Sequence, residues 1–164
     1  MRQGFNPHKD QPQEEPDFVH QIIIPVFIPN HEGYFEDSFK IFRLCLESLF
    51  ATVHDKTFIT IVNNGSDRLI VDYLDGLWRE KKIHELIHTY NIGKVNAIFK
   101  GLVGNKIELV TIADSDVLFL SNWQQETDKV FAAIPRAGVV GIVPQYRTFM
   151  TRCENILWDK WYDK

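Results

Sequence analysis

The run Ile22-Ile23-Ile24-Pro25-Val26-Phe27-Ile28 carries no charged or hydrogen-bonding side chain, and it constrains the fold more than any other stretch. Side chains of a strand alternate between two faces, so a strand with one wet face alternates apolar and polar residues. An unbroken apolar run suits a strand covered on both faces, as in a parallel sheet layered with helices. Pro29 and Asn30 close the run with residues suited to a turn.

Helical and strand patterns alternate downstream. Over residues 36–50, Phe39, Phe42, Leu46, Leu49 and Phe50 recur at helical spacing, with Asp37 or Ser38 placed to cap the amino end. Residues 57–62 form a second β-branched run that enters the turn-forming Asn63-Asn64-Gly65-Ser66-Asp67. A helix over residues 69–81 follows, then a short strand at 85–90, a helix at 94–102, a strand at 108–113, a helix at 122–134 and a strand at 138–143. This alternation predicts an α/β fold, a mostly parallel sheet with helices on both faces. Residues 1–20 are polar and proline-bearing and read as a flexible tail, leaving residues 21–164 as one domain. The closing stretch carries Trp158 and Trp161, an apolar surface that calls for further structure or a partner to cover it.

At 164 residues and 45% hydrophobic composition, one core is expected. Eighteen basic and 22 acidic residues leave a net charge of -4 with no long basic run, which argues against a nucleic-acid partner held by phosphate contacts. Cys45 and Cys153 fit neither a disulfide framework nor a paired-thiolate zinc site and read as free thiols. No apolar stretch reaches the length of a membrane span, and the amino terminus lacks the apolar centre of a signal peptide, so a cytoplasmic location is the expectation.

The segment Thr111-Ile112-Ala113-Asp114-Ser115-Asp116 ends a β-branched run in two carboxylates one residue apart. At a strand-to-loop turn such acids converge, and two close anionic charges call for a cation. Mg²⁺ and Mn²⁺ take oxygen ligands and are commonly held by one or two carboxylates together with substrate phosphates. Asp114 and Asp116 are therefore the candidate metal ligands, and a metal-bridged diphosphate is the candidate ligand. In a parallel sheet that ligand belongs at the carboxyl ends of the strands, where Asn63 and the acidic pair fall.

A rival pattern is His84-Glu85-Leu86-Ile87-His88, which has the His-Glu-x-x-His form of a zinc hydrolase. On a helix both histidines would share a face and bind one zinc ion. The alternation, however, places this segment on the short third strand, where four residues of extension hold the two histidines about 13 Å apart.

Four elements thus stand in order at strand ends: Pro25-Val26-Phe27, Asn63-Asn64-Gly65-Ser66-Asp67, Asn91-Ile92-Gly93-Lys94 with Ala97 and Gly101, and Asp114-Ser115-Asp116. Together with Leu44-Cys45-Leu46-Glu47-Ser48-Leu49 in the first helix, the order and spacing resemble family 2 glycosyltransferases, which have the GT-A fold, over residues 22–143. The resemblance implies a GT-A-like, Rossmann-like donor-binding domain that lacks the acceptor half. It also implies transfer of a sugar from a nucleotide-diphosphate donor, UDP-sugar favoured, to a glycan, lipid or protein acceptor, assisted by Mn²⁺ or Mg²⁺.

In that comparison Pro25, Val26 and Phe27 hold the nucleobase through backbone contacts, and Asn63 occupies the place of a base-reading carboxylate. Lys94 lies near the diphosphate, and Asp114, Ser115 and Asp116 engage ribose and metal. Asn63 and Asn64 replace two acids of the family pattern, adding hydrogen-bond donors where the family has acceptors alone. None of Glu154, Asp159 or Asp163 sits in the family's general-base motif, so no catalytic residue is assigned. A non-catalytic nucleotide-sugar-binding fragment is the alternative to an active transferase.

Overall fold

The computed structural model describes residues 17–141. The tail residues 1–16, the second cysteine Cys153 and the aromatic pair Trp158 and Trp161 lie outside them. Two compact units divide at Ser121 and Asn122.

The first unit runs β1 (His20–Val26), a 3-10 turn (Gly33–Phe35), α1 (Ser38–Thr52), β2 (Thr57–Asn64), α2 (Arg68–Arg79), β3 (Glu85–Thr89), α3 (Lys94–Leu102) and β4 (Leu109–Ile112). Its sheet has four strands in the order β3-β2-β1-β4, and every pairing is parallel. β1 registers with β2 from His20 opposite Thr57 to Val26 opposite Asn63, and with β4 from His20 opposite Leu109 to Ile23 opposite Ile112. The described part of the second unit holds the helix α4 (Trp123–Ala133), which fulfils the helical expectation for residues 122–134.

The topology explains why both faces of β1 are buried. Right-handed crossovers from β1 to β2 to β3 advance in one direction and put α1 and α2 on the same face. Phe39 and Phe42 of α1 meet Tyr73 of α2 edge-on, with ring centroids 5.2 and 6.4 Å apart. The step from β3 to β4 reverses direction and carries α3 to the opposite face. There Ala97 packs with Ile23 and Val62, flanked by Ile87, Leu102 and Val110. Ile22, Ile23 and Ile24 are all fully buried, so the opening apolar run does the work its composition implied.

Element ends depart from the sequence expectation for physical reasons. β1 begins two residues before the apolar run because His20 and Gln21 are satisfied inside the sheet. The His20 ring meets Thr111 Oγ1 at 2.7 Å, while Gln21 Nε2 donates to Thr60 Oγ1 at 2.9 Å and to the Gly101 carbonyl at 2.8 Å. α2 stops at Arg79 because Lys81 adopts a left-handed φ of 58°. Glu108 stays outside β4, since β1 offers no partner before His20. The expected strand at 138–143 is not formed in its described part, residues 138–141.

α3 can lie close to the sheet only because of Gly101. A Cβ there would sit 2.8 Å from Ile23 Cγ2, 3.2 Å from Val62 Cγ2 and 3.3 Å from Thr60 Cγ2. Gly101→Ala should therefore destabilise the domain by about 1–3 kcal/mol despite the better helix propensity of alanine, as an overpacked core does. Urea denaturation of the two proteins measures the difference.

Candidate functional site

In an open parallel sheet the strand order reverses at one place, and there the loops leaving neighbouring strands part to form a crevice. Here that place lies between β1 and β4. A cleft of about 300 Å³ opens there, lined by Pro25, Val26, Phe27, Tyr34, Asn64, Lys94, Asp114, Ser115 and Asp116. Seven of the eight residues singled out from sequence line it. Asn63 does not.

The reason is strand alternation. Asn63 pairs in register with Val26 and His88 and turns towards the layer of α2. Its Nδ2 lies 3.0 Å from His88 Nδ1, and the other ring nitrogen of His88 lies 3.1 Å from Asp75 Oδ1 of α2. Asn63 Oδ1 accepts a hydrogen bond from the Ser66 N–H at 3.0 Å, which shapes the turn after β2. Asn64, one residue on, takes the cleft position. Its Oδ1 accepts from the Ile92 N–H at 2.9 Å and its Nδ2 donates to Asn91 Oδ1 at 3.3 Å. Carrying the alternation of Thr60 and Val62 forward by one step finds Asn64 from sequence alone. Tyr34 stands on the 3-10 turn, and nothing in its local pattern announces it.

The turns after β1 and β2 are stitched together. Ser66 Oγ accepts from the Ile28 N–H at 3.0 Å and reaches the Val26 carbonyl at 3.5 Å. The Asp67 N–H donates to the Ile28 carbonyl at 2.9 Å. Asp67 also caps α2, its Oδ1 accepting from the Ile70 N–H at 3.1 Å, while its Oδ2 lies 2.6 Å from His31 Nε2. Gly65 has φ of 92°, and a Cβ would sit 2.7 Å from the Asn91 backbone nitrogen. Only glycine allows β2's turn to press against the loop that starts α3.

That loop delivers Lys94. Asn91 Oδ1 accepts from the Gly93 N–H at 3.0 Å, and Gly93, with φ of 83°, leads directly into α3. The Lys94 ammonium then lies 2.5 Å from Asp114 Oδ1 across the cleft. Asp116, on the same wall, forms no ion pair or hydrogen bond among the described residues. The acidic loop is braced from behind by α1. Cys45 Sγ approaches the Asp114 carbonyl at 3.8 Å, and Ser48 Oγ accepts from the Phe119 N–H at 3.0 Å. Burial pushes the Cys45 thiol up to about 11, with the Asp116 carboxylate adding to the rise and a hydrogen bond to the Val117 backbone opposing it.

No group of three or more metal-ligating side chains gathers among the described residues. Two cleft carboxylates fit a divalent ion whose remaining ligands are water and phosphate oxygens, as Mg²⁺ is usually held. The His84, Glu85 and His88 pattern does not assemble a zinc site. Glu85 and His88 lie in β3, while His84 just precedes it. His84 Nδ1 accepts from the Ile59 N–H at 3.1 Å, Glu85 Oε2 accepts from Thr60 Oγ1 at 2.9 Å, and His88 is held by Asn63 and Asp75.

Neither a protein-family model nor a curated protein matches the chain. Among solved structures, S. aureus TarS 1-349 is similar over 78% of this chain and 39% of that one, with TM-score 0.58 and 15% identity. The same fragment in complex with UDP matches over 78% and 38%, with TM-score 0.56 and 17% identity. S. aureus TarS matches over 77% of this chain and 23% of that one, with TM-score 0.55 and 15% identity. The chain thus spans less than half the length of these neighbours.

A protonated, buried thiol is a poor nucleophile. At pH 8 Cys45 should resist iodoacetamide in the folded protein and be alkylated on unfolding in urea, which peptide mass spectrometry reads directly. The four parallel strands, the helices on both faces and the TarS likeness together give this chain an α/β, Rossmann-like fold of the GT-A kind.

Proposed function

We propose that this chain is the donor-binding part of a glycosyltransferase that takes a nucleotide-diphosphate sugar, UDP-sugar favoured, with Mn²⁺ or Mg²⁺ at Asp114 and Asp116. The observation that carries this reading is the convergence of the β1 turn, Asn64, Lys94 and the acidic pair on one cleft at the reversal of strand order. The TarS complex with UDP supports the choice of nucleotide.

Each side chain has a distinct task. The backbone of Pro25, Val26 and Phe27 borders the base, and Asn64, held by Asn91 and the Ile92 N–H, lines the same cleft. Asp114 and Asp116 would hold the cation, while Lys94 would offer a point charge to phosphate oxygens. When bound, the divalent ion neutralises negative charge that grows on the diphosphate as the sugar leaves. Lys94 adds a positive charge at the same cleft. The acceptor is a glycan, lipid or protein.

Calorimetric titration with nucleoside diphosphates, with and without Mn²⁺, tests the reading. UDP should bind only weakly without the metal and at least about tenfold more tightly with it. Asp116→Ala should remove most of the metal-dependent gain while leaving the fold intact, because Asp116 is exposed and bears no structural hydrogen bond. Metal-independent binding, or an unchanged gain in Asp116→Ala, overturns the assignment. Release of sugar from UDP-sugar separates an active transferase from a fragment that only binds its donor.

A further inference from the structure

The contact between Lys94 and Asp114 has a consequence for the order in which ligands enter. The Lys94 ammonium sits 2.5 Å from Asp114 Oδ1, on one of the two carboxylates read as metal ligands. A divalent ion arriving alone must share that carboxylate with a positive charge or displace it. The displacement is feasible because both side chains are more than half exposed, at 60% and 53%, and lysine carries its charge on a flexible four-carbon stem. A diphosphate changes the balance. Its oxygens offer the ammonium a new anionic partner in the same cleft, which frees Asp114 for the ion.

We infer that Lys94 is a coupling residue: it occupies Asp114 until a diphosphate takes it over, so that metal and nucleotide enter as a pair. The inference rests on the donor-site reading above and deepens it. Lys94 acts twice, opposing a metal that arrives alone and favouring the nucleotide. Linkage requires the resulting coupling to be reciprocal, so nucleotide strengthens metal binding by the same factor as metal strengthens nucleotide binding.

The two roles predict opposite signs for one substitution. In Lys94→Met, Mn²⁺ alone should bind about two- to fivefold more tightly than in the wild type, the range expected on removing an exposed ion pair that competes with the ligand. UDP in saturating Mn²⁺ should bind several-fold more weakly, because phosphate loses a charged partner. Lys94→Arg keeps the positive charge and should hold the Mn²⁺ affinity near the wild-type value. Electron paramagnetic resonance of free Mn²⁺, titrated into the full chain with and without UDP, gives all of these affinities.

Equal Mn²⁺ affinity of wild type and Lys94→Met in the absence of UDP overturns the coupling role and leaves the donor site standing. Failure of the wild type to bind Mn²⁺ even with UDP overturns the donor site and the coupling role together.

Discussion

Strand β1 is hydrogen-bonded by β2 along one edge and by β4 along the other, and its side chains are buried on both faces. It therefore has no freedom of register, and the point at which its backbone leaves the sheet is set by its partners. β2 accompanies it to Val26, whereas β4 pairs only as far as Ile23. The shorter partner opens a gap on one side of β1 at its carboxyl end, and the residues that follow β4 fold into that gap's wall. The cleft is a product of unequal strand lengths at a reversal of strand order, and the acidic loop lies there because β4 ends early.

Around that opening, polar side chains bind the turns to one another instead of to solvent. The Ser66 hydroxyl joins the exits of β1 and β2, the Asn64 amide joins β2 to the start of α3, and Cys45 with Ser48 supports the acidic loop from α1. Each is a hydrogen bond between separate elements, so the loops of the rim are tied to one another. Such bracing suits a site where ligand groups must meet fixed partners.

Much of this was legible in the amino-acid order. The unbroken run at residues 22–28 announced a doubly covered strand, and helical spacing located α1, α2, α3 and α4. The acidic pair at 114 and 116, Lys94 and the β1 turn were found because charge or turn chemistry stands out against an apolar run. Asn63 follows from the family motif, whereas Asn64 lines the cleft because the strand's alternation, carried to its last residue, puts it on the face of Thr60 and Val62. Tyr34 was invisible because its place at the cleft depends on a short 3-10 turn that carries no periodic signal. The separation of His84, Glu85 and His88 was readable from spacing, since a strand holds apart residues that a helix would gather.

The chain from Asp75 through His88 to Asn63 has a direction. The Ser66 N–H fixes the Asn63 oxygen, so the amide nitrogen faces His88 and the imidazole must present a bare nitrogen to it and a proton to Asp75. An acid at position 63 would set oxygen lone pairs against that bare nitrogen unless the ring gained a second proton. The imidazolium would then be wedged between two carboxylates. Positions 63 and 88 are thus bound as a matched set, and in relatives of this chain a swap at one should travel with a swap at the other.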